Sequence, residues 1–239
     1  MGHTFITLVC SLFVATTFAA VPSFIKPCAI SKGKCPTKDA TLTLKSILSG
    51  NAEYVIPPLS PFFLPYVDIS GKFLSLKLKD TKVYGYDSAS ITHLEINPTK
   101  QTGRVEVNID KTESIGDYTL KGKILNVDLN GEGKSNFTTI DGKYIWDFSY
   151  NLIEKDGKQY ANITTHKMDF KIKRVYFRFD NLVKGNDELT EKTNNLLNAK
   201  WETVMNDIGN GVAIGFSSVF HYIANSFFST IPFNEITKS

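Results

Sequence analysis

Residues 208–234 read IGNGVAIGFSSVFHYIANSFFSTIPFN, 27 positions without an Asp, Glu, Lys or Arg. A chain must hide such a segment in a bilayer or against other protein, and the rest of the sequence decides which. Helical spacing of apolar residues starts well before it, at Leu189, Leu196, Leu197, Trp201, Val204, Met205 and Ile208. It continues through Val212, Phe216, Val219, Phe220, Ile223 and Phe227. The spacing predicts one helix of about ten turns, capped by Asp187 and stopped at Pro232, with Gly209 and Gly211 as kink positions. Its first half is amphipathic, with Glu188, Glu191, Lys192, Lys200, Glu202 and Asp207 outward, and its second half is apolar nearly all round.

Upstream, from about residue 66 to 180, the period is two. Leu74, Leu76 and Leu78 alternate with Ser75, Lys77 and Lys79, and Val105, Val107 and Ile109 with Glu106, Asn108 and Asp110. Trp146, Phe148, Tyr150 and Leu152 repeat the pattern, as do Met168, Phe170 and Ile172. One face in and one face out marks antiparallel strands with a single buried face. Asn130-Gly131, Asp141-Gly142 and Asp156-Gly157 carry hairpin-turn chemistry. Parity slips between Leu120 and Val127 and between Ile172 and Val175 mark bulges or strand ends, which bend a sheet. Before the sheet, residues 39–50 fit a short amphipathic helix with Asp39 as cap. Pro57, Pro58, Pro61 and Pro65 then force an extended segment that carries Phe62, Phe63 and Leu64 inward.

The two parts need each other. A long sheet with one greasy face requires something to wrap around, and the apolar helix requires a cover. The helix also holds Asn210, Ser217, Ser218, His221 and Asn225 and lacks a flanking basic cluster, which disfavours a span. The fold class is therefore α+β, a long C-terminal helix wrapped by a strongly curved antiparallel sheet.

The first 20 residues form an apolar run closing on Thr17 and Ala19, the pattern of a secretory signal peptide, so residues 21–239 form a single domain. Cys10 leaves with the leader, and the remaining Cys28 and Cys35 form a disulfide loop. Their spacing offers too few ligands for a metal and is not Cys-x-x-Cys. Asn136-Phe-Thr138 and Asn162-Ile-Thr164 are N-glycosylation sequons. Leader, disulfide and sequons agree on a secreted, extracellular glycoprotein. The net charge of +3 comes from 27 basic and 24 acidic residues spread evenly, without the basic footprint of a nucleic-acid binder. The densest basic run, KIKRVYFR (171–178), reads as a solvated strand face.

Beyond the leader the chain has three histidines and neither Gly-x-Ser-x-Gly nor His-Glu-x-x-His, so no enzyme, cofactor or metal is expected. His93 and His166 read as surface strand residues. His221 lies in the apolar helix, as a core histidine or a contact for a ligand's polar end.

Several motifs together resemble one family: VPSFIKPC followed by Cys35, IPPLSP, FDNLVKGNDELTEKTNNLLNAKW and IPFNEI. They are similar to those of the insect takeout / juvenile-hormone-binding protein family of the tubular lipid-binding superfamily. The matched positions are Asn181-Leu182, Gly185-Asn186, Leu197-Asn198, Trp201 and Pro232-Phe233. A second cysteine pair, typical of the dedicated hormone-binding branch, is absent, which places the takeout branch nearer. NAEYVIPPL also departs from the family's Gly-Ile-Pro start. The resemblance implies a helix rolled inside a curved sheet with an apolar tunnel between them. It implies a carrier of hydrophobic small molecules (juvenile hormone or other terpenoids, fatty-acid-like or quinone-like lipids, pigments) in haemolymph or another extracellular fluid. Such a carrier is monomeric, without stable membrane insertion.

The expected tunnel lining is Phe62, Phe63, Trp146, Phe148, Phe170, Phe177, Trp201, Val204, Met205, Ile208, Val212, Phe216, Phe220 and His221. Burying about ten methylenes yields ~8 kcal/mol, from which association subtracts at least ~4 kcal/mol. Shape alone thus supports useful affinity without a motif. The competing reading is a membrane-associated or structural secreted protein that uses the apolar helix.

Overall fold

Strand β1 (Cys28–Ala29) precedes helix α1 (Thr37–Leu48), and β2 (Phe62–Asp68) pairs with β3 (Leu74–Tyr84). A 3-10 turn (Tyr86–Ser88) leads into β4 (Ser90–Asn97), β5 (Thr102–Ile124), β6 (Val127–Lys155) and β7 (Lys158–Phe179). The chain closes with α2 (Asp187–Ala199), α3 (Trp201–Phe228), α4 (Phe233–Ile236) and β8 (Thr237–Lys238). This is a computed structural model, and it describes residues 25, 27–29, 35–52, 58–124 and 127–238. The expected signal peptide lies outside the described residues.

The sheet is antiparallel in the order β2-β3-β5-β6-β7, with β4 pairing to β5. Alternation sets its faces as expected: Leu74, Leu76 and Leu78 are buried, as are Trp146, Phe148 and Tyr150. Helix α3 touches both β2 and β7, the two ends of the sheet path. A sheet can reach one helix with both ends only by curling around it. Register shifts at Lys79/Lys82, Ile91/His93 and Ser149/Tyr150 supply bends. Gly211 of α3 lies against the Ile69 backbone, where a Cβ would sit 2.7 Å from it. That glycine serves close approach rather than a kink.

Three sequence expectations are corrected. Of the hairpin signals, only Asp156-Gly157 turns the chain. Asn130-Gly131 and Asp141-Gly142 lie inside the 29-residue β6, where a Cβ would meet Leu182 backbone or the Tyr144 ring within 2.8 Å. The slip near Leu120–Val127 is a strand end, while the ladder runs through Ile172–Val175 without a shift. The C-terminal helix breaks at Lys200 (φ −115°, ψ 29°) and not at its glycines.

The break follows from what α2 has to hold. Strand β7 is a sheet edge, with backbone groups left to pair. Asn194 of α2 accepts from Phe179 N–H (3.0 Å) and donates to Phe179 carbonyl (2.9 Å). One turn on, Asn198 does the same for Phe177 at 2.8 Å each way. The Arg174 guanidinium donates to the Asn198 carbonyl (2.7 Å), capping the end of α2. Helix α2 thus runs along the edge, and α3 must turn to enter the concave face.

Helix α3 buries Val204, Ile208, Gly211, Ser217, Val219 and Phe227. The opposite stripe, Asn210, Ile214, Ser218 and Tyr222, faces outward, with Ile214 59% and Tyr222 46% exposed. The helix therefore closes the open side of the roll and is not covered all round. Among the described residues no helix is long and apolar enough to cross a membrane.

Candidate ligand-binding site

Two cavities lie between the helix and the sheet. The larger, about 190 Å³, is walled by Val105, Val107 and Ile109 of β5, Trp146 and Phe148 of β6, and Phe220, Ala224 and Phe228 of α3. Helix α1 contributes Leu44, Ile47 and Leu48, and the chain ends contribute Ile25, the Cys28–Cys35 pair, Phe233 and Ile236. Asp39, Thr43, Thr237 and Tyr86 are the polar residues in that wall. The smaller cavity, about 80 Å³, lies between Val67, Ile69, Leu78, Val83, Val175 and Phe177 of the sheet and Met205, Ile208, Val212 and Phe216 of α3. Neither wall contains a Lys, Arg or His among the described residues.

The end of the larger chamber is assembled from short pieces. Strands β1 and β8 pair in parallel, Cys28 with Thr237 and Ala29 with Lys238, so the two chain ends clasp each other. The expected disulfide is formed, with the Cα atoms 5.1 Å apart. Cys35 N–H donates to the Leu94 carbonyl (3.0 Å), and the Thr41 hydroxyl accepts from Ile91 N–H (2.9 Å). These bonds seat the loop and α1 on β4. Lys158 pairs with Glu235 at 2.9 Å and holds α4 to β7.

Tyr86 stands between the chambers, alone among the described residues in lining both. Gly85 makes the placement possible. Its φ of +96° starts the 3-10 turn, and a Cβ there would come within 2.0 Å of the Lys111 carbonyl. Tyr86 is 2% exposed, and its hydroxyl has no hydrogen-bond partner among the described residues. Burial, and after it the Tyr144 phenol, pushes its pKa far above the usual tyrosine value. Other nearby hydroxyls are bonded: Thr112 and Thr139 are 2.6 Å apart, and Thr139 lies 3.5 Å from the Tyr144 hydroxyl.

A second polar group sits where α3 meets β7. Trp146 Nε1–H donates to Ser217 Oγ (3.2 Å), and Ser217 lies 2.6 Å from His166 Nδ1. The His166 and His221 rings stack at 4.6 Å, and His221 Nε2 contacts Asn225 at 2.9 Å. Burial first, and His221 second, lower the His166 pKa.

Of the residues expected to line a tunnel, Trp146, Phe148 and Phe220 face the larger chamber. Phe177, Met205, Ile208, Val212 and Phe216 face the smaller one. The others lie elsewhere. Phe63 is 52% exposed, because strand alternation that buries Phe62 turns its neighbour outward. Phe62 packs against Tyr222, with ring centroids 5.6 Å apart. Phe170 lines a surface groove beside Gly209, and Trp201 sits near Arg174 at the start of α3. Val204 is buried away from both cavities, and His221 is taken up by His166 and Asn225. His93 is half-buried and 3.5 Å from Glu95. Sequence reasoning missed Tyr86, α1 and the chain ends; the glycine of Tyr84-Gly85-Tyr86 was the available signal. Of the sequon asparagines, Asn162 is exposed on β7, whereas the half-buried Asn136 donates to Glu113 at 2.7 Å.

The fold and site define a class: an α+β roll whose sheet and helix hold apolar chambers between them. The chain belongs to the haemolymph juvenile hormone binding protein family, whose sequence model matches residues 6–238. It is similar to the circadian clock-controlled protein daywake of Drosophila melanogaster, 25% identical over 226 residues, covering 90% of this chain and 87% of that protein. The daywake protein of Drosophila yakuba is 26% identical over 230 residues, covering 91% and 88%. Its fold matches a crystal structure of Epiphyas postvittana takeout 1 with a TM-score of 0.81 at 21% identity, covering 90% of this chain and 100% of that one.

Proposed function

We propose that this protein is a secreted, monomeric carrier that holds a small hydrophobic molecule in the two chambers. The ligand class is terpenoid, fatty-acid-like or quinone-like lipid, or pigment. The observation that carries this reading is the 190 Å³ chamber, with a wall apolar but for four residues. Membership of a juvenile hormone binding family supports it. Trp146, Phe148 and Phe220 contact one end of the ligand, and Phe177, Met205, Val212 and Phe216 the other. The driving force is removal of apolar surface from water into a preformed site, at roughly 25 cal/mol per Å². The reading includes no catalytic step and no cofactor.

Secretion follows from the leader, the disulfide and the exposed sequon at Asn162 taken together. The membrane-associated alternative needs an apolar face on α3, but the outward stripe alternates Asn210, Ile214, Ser218 and Tyr222. Native mass spectrometry of the secreted protein, with organic extraction of what co-purifies, tests the proposal. A stoichiometric apolar adduct is the expected result. An empty protein that also takes up no apolar dye refutes it.

A further inference from the structure

The buried phenol between the chambers has no hydrogen-bond partner among the described residues. A buried hydroxyl without a partner costs free energy, and native proteins rarely keep one without a reason. Tyr150 has a similar unpartnered hydroxyl but lines neither chamber. Tyr86 lines both, so a molecule long enough to occupy both must pass beside it. At any physiological pH its O–H is a donor, since burial holds the phenol protonated.

The electrostatics of the walls restrict the ligand further. Among the described residues neither chamber wall offers a cationic side chain to pair with a carboxylate. An unpaired buried charge is strongly disfavoured. A neutral oxygen acceptor beside one O–H donor meets no such cost.

Building on the carrier reading, we propose that Tyr86 is the polar contact of the ligand site. Its O–H donates to an ester or ketone carbonyl, ether or epoxide oxygen in the middle of an elongated neutral apolar molecule. The two ends of that molecule fill the two chambers, and ionised fatty acids are rejected.

The test compares tetradecane, 7-tetradecanone and tetradecanoate at pH 8, each displacing the apolar dye N-phenyl-1-naphthylamine. Wild-type protein is expected to bind the ketone roughly 3- to 10-fold more tightly than the alkane, the factor of one net hydrogen bond, and tetradecanoate most weakly. Tyr86→Phe, which removes one oxygen and little volume, is expected to abolish the ketone preference and bring the ketone-to-alkane ratio to one or below, because the buried carbonyl then has no donor. Ligand-free Tyr86→Phe is expected to keep or raise the wild-type Tm, because the oxygen it loses bonds nothing among the described residues. A ratio that survives Tyr86→Phe overturns the proposal, as does a Tm loss of about 3 °C or more, which marks a structural hydrogen bond. Tightest binding by tetradecanoate overturns the neutral-ligand assignment. If neither dye nor any of the three binds wild type, the carrier reading itself falls. Dye, alkane and ketone binding without a ketone preference removes only the role of Tyr86.

Discussion

The two chambers are built by different means. Apart from Tyr86 of the 3-10 turn and Ile69 just past β2, the smaller is walled by the long strands β2, β3, β5, β6 and β7 and by α3 between Met205 and Val219. The larger shares β5, β6 and α3 but is finished by a 12-residue helix, a one-turn helix, two-residue strands and a disulfide loop. Local stability follows the number of cooperative contacts an element makes. The difference predicts the route of the proposed ligand: the clasp of chain ends, built from short elements, is expected to open at lower cost than the strand-walled smaller chamber.

Perturbing each end separately breaks or sharpens that contrast. Phe216→Asp places a carboxylate in the smaller chamber, 4.8 Å ring-to-ring from Tyr144 in the wild type. It is expected to cost more than about 4 kcal/mol and to yield no folded, dye-binding protein by circular dichroism and fluorescence. A folded variant with wild-type binding excludes Phe216 from the site. Loosening the clasp by removing the adjoining disulfide, Cys28→Ser/Cys35→Ser, is expected to cost about 2.5 kcal/mol in urea unfolding, the chain-entropy value for so short a loop. It should also speed dye release in stopped flow; unchanged release places the passage elsewhere.

Ala224→Phe projects a ring into the larger chamber and is expected to weaken binding of a long ligand about tenfold, with Tm nearly unchanged. A Tm loss without a binding loss makes Ala224 a packing position only. The smallest effect concerns the seam of α3 and β7. The lowered His166 pKa means that the unfolded chain binds more protons near pH 6.5. The stabilisation is complete above pH 6.5 and is lost as pH falls through the folded value. Tm is expected to fall between pH 7 and 5, and to fall less in His166→Asn. Lys173→Ala, whose ammonium meets Asp141 at the surface, serves as the control with no change in binding.

Much of the roll was legible because its signals are local. Alternation placed Leu74, Leu76 and Leu78 inside, and a 3.6-residue period found α2 and α3. The same rules failed where a long-range contact overrode them. Gly131 and Gly142 look like turn glycines until Leu182 and Tyr144 are seen pressing on them. Lys200 looks helical until Asn194 and Asn198 are seen holding the sheet edge. The aromatic positions of the site were half legible: burial of Trp146 or Phe216 follows from pattern, but facing a chamber and facing solid core look the same in sequence.

By itself, then, the sequence determined the curved antiparallel sheet, the apolar closing helix and the disulfide, since periodicity and residue chemistry act over a few neighbours. Only the tertiary structure decided that two chambers exist, that chain ends more than 200 residues apart close one of them, and that Tyr86 stands between. A cavity is what remains after distant side chains fail to meet, and no local run of residues encodes that gap.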